Sequence, residues 1–214
     1  MPPEESNAYL AWIDNGEAVV VDCGGDPAPV LAEMAGRGLR LSAILLTHLH
    51  PDHVRGVPRL MEATGAPVYA PAADAFLLPP ALAGLPFREA VPGRLTLLGQ
   101  PCLVLPVPGH TPGHMVYYFP KSWSAFTGDC LFRGSVGRTD GPGGNAGLLL
   151  ASIRTQLLSL PDAVELFPGH GHLRPGAVGL SGDSQSRDER KEKSLESGFG
   201  ETESDQYGPG LGRA

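Results

Sequence analysis

The sequence predicts an α/β domain of mixed β-sheets with helices outside. Two observations predict it. In the first third of the chain, short apolar runs alternate with segments of helical spacing. In the middle, apolar runs of strand length follow one another with only turns between them. A β-α-β-α-β start followed by consecutive strands is the order of mixed sheets flanked by helices.

Each element rests on its own residues. Ala18–Cys23 (AVVVDC) reads as a buried strand stopped by Gly24 and Gly25. Pro27–Arg37 has helical spacing, with Val30, Leu31 and Met34 on one side. Leu41–Thr47 (LSAILLT) is a continuous apolar run and reads as a central strand. Val54–Thr64 reads as a helix and Pro67–Ala70 as a strand. Further strands are expected at Arg94–Leu98, Cys102–Val107, Met115–Phe119, Ser124–Thr127 and Val164–Phe167. A longer helix, Ala146–Leu160, follows Asn145, a favourable N-cap.

Composition narrows the function classes. Hydrophobic residues make up 42% and charged residues 18% of the 214, a globular balance. Net charge is −7 and no basic stripe appears, so no nucleic-acid partner is expected. No apolar stretch approaches the ~18–20 residues of a membrane helix, so no membrane partner is expected. The start, MPPEESNAYLAW, lacks a basic region followed by an apolar run, so no signal peptide is expected. The three cysteines, Cys23, Cys102 and Cys130, form no CxxC pair and suit a reducing compartment. The expected location is cytoplasmic. From Ser181 the chain is polar, with eight acids and five bases and no sustained apolar period. Such a segment cannot offset its ordering entropy. The expected organisation is therefore a catalytic domain over 1–180, its folded part roughly 7–178, and a disordered tail over 181–214.

Three of the seven histidines fall within THLHPDH, just past the central strand. Side chains two apart on an extended segment point the same way, so His48 and His50 can chelate one metal with Leu49 turned to the core. Pro51 favours a helix start. Asp52 and His53, adjacent in that first turn, can reach a second metal beside the first. Three later segments repeat the theme: VPGHTPGH carries His110, FTGDC carries Asp129 and FPGHG carries His170. Each follows an apolar strand, with a glycine directly before the polar residue. Imidazoles with carboxylates suit zinc, and also iron or manganese.

HxHxDH followed by a lone His, an Asp and a last His resembles the metallo-β-lactamase superfamily. Within it, TGDCLFRGSVGRTDGPGG resembles short forms of glyoxalase II (hydroxyacylglutathione hydrolase). The resemblance covers roughly Asn7 to Gly171. It implies an αββα sandwich of two mixed β-sheets flanked by helices, with two divalent metal ions, most simply Zn2+, at one edge. It puts His48, His50 and His110 on the first ion, Asp52, His53 and His170 on the second, and Asp129 on both. It implies hydrolysis of a small-molecule thioester, such as an S-acyl-glutathione of the S-lactoylglutathione kind, to an acid and a thiol by metal-bound hydroxide, with Asp52 and Asp129 as the catalytic carboxylates. It places Arg138 where the family carries a cation for a glutathione carboxylate, while Asp140 departs from the aromatic residue often found nearby. Asp22, Thr47 and His114 are expected to orient ligands. Cys130, beside Asp129, reads as a core residue and His172 as exposed. The stretch after His170, HLRPGAVGL, departs from the short-form pattern. Two alternatives carry different expectations: a mononuclear-iron persulfide dioxygenase on the same fold, and a catalytically weak metal-binding homologue.

Overall fold

Alternating apolar side chains sort the strands into two sheets that share one core. The computed structural model describes residues 6–171 and the two-residue strand Val178–Gly179. His172 and the segment from Ser181 lie outside the described residues. In chain order the elements are β1 (Tyr9–Trp12), β2 (Glu17–Val21), α1 (Ala28–Arg37), β3 (Arg40–Leu45), α2 (Pro51–Val54), α3 (Val57–Thr64), β4 (Val68–Ala70), β5 (Arg88–Glu89), β6 (Gly93–Leu97), β7 (Gln100–Pro106), β8 (Met115–Phe119), β9 (Ser124–Gly128), β10 (Leu131–Phe132), β11 (Ser135–Val136), α4 (Ala146–Gln156), β12 (Glu165–Pro168) and β13 (Val178–Gly179).

The first sheet has the order β13-β1-β2-β3-β4-β5 and the second β12-β9-β8-β7-β6. Both are mixed. In the first, β1 and β2 are antiparallel, while β2, β3 and β4 run parallel. In the second, β6 to β9 form an antiparallel meander and β12 joins β9 in parallel. Val19 and Val21 of β2, Leu45 of β3, and Met115, Tyr117 and Phe119 of β8 meet in the layer between the sheets. The intervening residues Ala18, Val20 and Ile44 face outward onto Met34 of α1 and Val57 and Leu60 of α3. Val116 and Tyr118 face outward onto Leu149 and Ile153 of α4. The period of two along each strand therefore builds four layers, αββα.

Differences from the sequence reading have local causes. β2 stops at Val21 because Asp22 takes a left-handed backbone, φ 55°. β3 stops at Leu45, and two residues on the Thr47 N–H turns out of the ladder to the Asp22 carboxylate at 2.9 Å. The helix expected over Val54–Thr64 is two helices. Pro51 opens the first, as expected, and the chain breaks at Arg55 and Gly56. Gly56 lies so close to the β2–α1 loop that a β-carbon there would sit 2.1 Å from the Gly25 carbonyl oxygen. α4 ends at Gln156, four residues early, while its start follows the cap: the Asn145 side chain accepts from the Leu148 N–H at 2.9 Å. β1, β5, β10, β11 and β13 were not expected; β1 holds four residues whose burial shows no alternation, and the others hold only two.

Gly56→Ala forces the α2–α3 junction away from Gly25 and Cys23. The substitution is expected to destabilise the chain by about 2 kcal/mol, read as a lowered urea midpoint at unchanged slope.

Candidate metal centre

Four turns at one edge of the sandwich converge. The first follows β3 and enters α2, bringing His48, His50, Asp52 and His53. The second links β7 to β8 and carries His110 and His114. The third follows β9 with Asp129, and the fourth follows β12 with His170. All seven residues expected as ligands meet here. One ligand atom each from His48, His50 and His110 lie within 4.8 Å of one another, and the same holds for Asp52, His53 and His170. His48, His53 and Asp129 form a third such group. Asp129 stands between the trios: its Oδ2 is 3.7 Å from His110 Nε2 and 3.2 Å from His170 Nε2, and its Oδ1 is 3.4 Å from His53 Nε2.

The imidazoles are aimed from outside. His53 Nδ1 donates to Asp22 Oδ2 at 2.9 Å. His48 Nδ1 lies 3.1 Å from Thr47 Oγ1, whose own hydroxyl donates to Asp22 Oδ2 at 2.8 Å. His110 Nδ1 donates to the Arg138 carbonyl at 2.8 Å. Each bond engages Nδ1 and turns Nε2 inward, the nitrogen left for a metal. His50 is the exception, with Nδ1 facing His110 Nε2 at 3.0 Å. His48 Nε2 and Asp129 Oδ1 are buried and lack a hydrogen-bond partner among the described residues. Buried polar atoms without partners are rare. An inward set of bare nitrogens and carboxylate oxygens is the donor set of a divalent transition metal.

Protonation follows the same geometry. Burial lowers His50 to about 4 and takes His48 and His110 down as well, so these imidazoles are neutral, the form that ligates. Burial opposes charge on His53, but Asp22 and Asp129 raise it to about 10. Bonds to Asp129 and Asp52 raise His170 to about 10. Burial works to raise Asp129, yet His170 and His53 hold it well below the usual carboxylate range.

The three residues expected to orient ligands do touch them or their neighbours. Asp22 and Thr47 form the network just described. His114 is fully buried, and its Nε2 accepts from the Asp129 N–H at 3.1 Å. Cys130 is buried in the layer under α4, as expected. Arg138 is different. Its carbonyl holds His110, but its guanidinium is exposed and pairs with Asp140 at 2.9 Å. The glycines before the ligands do two things. Gly109 and Gly128 adopt positive φ, 134° and 49°. Gly169 instead makes room: a β-carbon there would lie 2.1 Å from Asp129 Oδ1.

Three contributors had no sequence signal. Ser6 Oγ donates to the Asp52 carbonyl. The Asn7 N–H donates to the Gly169 carbonyl at 2.7 Å, and its side-chain amide donates to the Pro168 carbonyl at 3.0 Å. These bonds tie the start of β1 to the His170 turn. Asp74, buried between the first two turns, is the third.

The sequence model of the metallo-beta-lactamase superfamily matches residues 1–170. A hydroxyacylglutathione hydrolase of Fuscovulum blasticum is 41% identical over 159 residues, which is 74% of this chain and 59% of that protein. The hydroxyacylglutathione hydrolase GloC of Haemophilus influenzae is 37% identical, covering 78% of this chain and 86% of that protein. The chain thus spans about three-fifths of the first of these relatives and most of the second. Among solved structures, BLEG-1 B3 metallo-beta-lactamase superposes with a TM-score of 0.72 at 36% identity, covering 81% of this chain and 90% of that one. TTHA1623, solved in a di-iron-bound form, superposes with a TM-score of 0.68 at 41% identity, covering 80% and 90%.

Asp22→Ala leaves the Thr47 N–H, the Thr47 hydroxyl and His53 Nδ1 without their buried acceptor. The metal-free chain is expected to lose about 3 kcal/mol of stability, measured by urea unfolding in the presence of a chelator.

Proposed function

The chain belongs to the metallo-beta-lactamase superfamily, and on that premise we propose that it is a binuclear metal-dependent thioester hydrolase acting on an S-acyl-glutathione of the S-lactoylglutathione kind. One observation carries the reading: two trios of ligand atoms stand side by side with Asp129 reaching into both. His48, His50 and His110 would hold one ion, Asp52, His53 and His170 the other, and Asp129 both. A mononuclear-iron dioxygenase has no use for the second trio, and that favours the hydrolase. The hydroxyacylglutathione hydrolase names of relatives at about 40% identity give the substrate class. Zinc is the simplest occupant of this nitrogen and oxygen set.

When bound, two such ions supply a water acidified to near-neutral pKa and a Lewis acid for the acyl carbonyl. The chain does the rest. Asp22, Thr47 and the Arg138 carbonyl hold three imidazoles in place before substrate arrives, so no reorganisation is needed at the moment of attack. Asp52 is the ligand carboxylate more open to solvent, its side chain 26% exposed against 10% for Asp129. On this reading it accepts a proton from the attacking water and returns it to the products. A thiolate leaves without a strong general acid, so one partly exposed carboxylate suffices. Arg138 must exchange Asp140 for a substrate carboxylate; both side chains are exposed, so that exchange costs little. The three buried free cysteines are in keeping with a cytoplasmic protein.

Asp129→Asn is expected to abolish S-lactoylglutathione hydrolysis and to lower metal content from two ions per chain, read by elemental analysis beside a thiol-release assay. Near-normal turnover in that variant overturns the proposal, and so does a wild-type chain that holds a single iron and consumes oxygen with glutathione persulfide. Arg138→Ala should raise KM about tenfold, as for loss of one charge-assisted contact worth about 1.5 kcal/mol, with kcat little changed.

A further inference from the structure

We propose that Asp74, a buried carboxylate outside the ligand set, is a positioning residue for the first trio, His48, His50 and His110. The proposal rests on the ligand reading given above. The first trio comes from two segments far apart in sequence: the turn after β3 and the turn before β8. Beside the Met115 N–H bond to the Thr47 carbonyl, which joins the two segments beneath, Asp74 reaches both turns. Its Oδ2 accepts from the Thr111 hydroxyl at 2.6 Å and its Oδ1 from the Gly113 N–H at 2.6 Å. The backbone of Leu49 lies close enough to favour its charged form, a weaker contact than these two bonds. Leu49 lies between His48 and His50, and Thr111 directly follows His110. One carboxylate therefore bonds the turn of His110 and touches the turn of His48 and His50, each within one residue of a first-trio ligand.

The side chain is fully buried, and none of its hydrogen bonds is to a ligand imidazole. Its hydrogen-bond partners are the Gly113 N–H and the Thr111 hydroxyl, one on each carboxylate oxygen. Bonds to an ionised acceptor are short and strong. Remove it, and two buried donors lose their acceptor while the His110 turn is free to shift from the turn after β3. The quantity at stake is the 3.0 Å approach of His50 Nδ1 to His110 Nε2, which sets where a shared cation can sit. Asp22 serves the other side of the centre by bonding His53 itself; Asp74 acts through backbone, one step further out. Loss of such outer support typically weakens metal binding about 10–100-fold.

The test uses the full chain carrying His170→Ala, which disables the second trio and leaves the first. Zinc affinity is measured by competition with a chromophoric chelator, alongside thermal unfolding of the metal-free chains. Asp74→Ala is expected to weaken zinc by about 10–100-fold. Asp74→Asn should recover most of that loss, because its amide oxygen still accepts from Gly113 while its amide group donates to the Thr111 hydroxyl. An Asp74→Ala chain that folds and binds zinc within twofold of its parent overturns the proposal, even if its unfolding temperature falls. Should Asp74→Ala fail to fold, Thr111→Val removes one grip only: a several-fold weaker zinc affinity supports the proposal and an unchanged one overturns it. A His170→Ala parent that binds no zinc overturns the ligand reading itself, and this proposal with it.

Discussion

The buried Asp22 carboxylate and the donors around it set the terms for the whole centre. Two of its bonds take the hydroxyl and N–H of Thr47, and a third takes the Nδ1 proton of His53. The Thr47 hydroxyl, having given its proton to Asp22, can only accept from His48. One carboxylate thereby decides the tautomer of two imidazoles and turns a bare Nε2 of each inward. It also ends β2, since Asp22 reaches these partners from a left-handed backbone that a strand cannot continue through. The strand end, the ligand tautomers and the inward orphaned nitrogen of His48 are three consequences of one placement.

The site also depends on where two sheets meet. His48, His50, Asp52 and His53 leave the end of β3 in the first sheet, whereas His110, Asp129 and His170 leave strands of the second. The seam between them is stitched just beneath the cluster. The Met115 N–H of β8 donates to the Thr47 carbonyl at 2.8 Å, and the Tyr117 hydroxyl donates to the Leu46 carbonyl at 3.0 Å. Those bonds hold the two halves of the ligand set in register, with the shared core packed below. The outer helices do no ligating except through the first turn of α2; α1, α3 and α4 cover the outer faces and fix the strands from which the turns spring.

Much of this was legible in the chain itself, and the boundary of legibility has a physical cause. HLHPDH could be read because its chemistry is local: the spacing of two along extended chain and the proline at a helix start act over neighbouring residues. The glycine-preceded His110, Asp129 and His170 could be read because a polar ligand after an apolar strand is a local pattern too; their assignment to particular ions came from resemblance. What escaped was set by residues distant in sequence. Gly56 breaks a helix because of Gly25. Asn7 matters because of Pro168 and Gly169, and Asp74 because of Thr111 and Gly113. Nothing in PAADAFLL marks Asp74 as a buried clamp, since an aspartate is ordinarily solvated. Arg138 shows the converse. Its place in GRTD was legible, but its observed contact with the centre is made by its carbonyl, which any residue could supply.

That last point separates two demands on one short segment. The Arg138 carbonyl fixes His110, so the backbone here must stay where it is. The Arg138 side chain, exposed and paired with an equally exposed Asp140, is free to exchange partners without disturbing that bond. Positioning of His110 is thus carried by backbone, which substitution leaves intact, and the recognition proposed for Arg138 by a side chain in solvent, where an ion pair contributes little and is readily replaced. A loop built this way can change what it recognises while holding the centre fixed. The same division recurs at the His170 turn, where the Pro168 and Gly169 carbonyls take the bonds from Asn7 and leave the imidazole to face Asp52 and Asp129. His110 and His170 are thus held through main chain, whereas His48 and His53 are held through the side chains of Thr47 and Asp22.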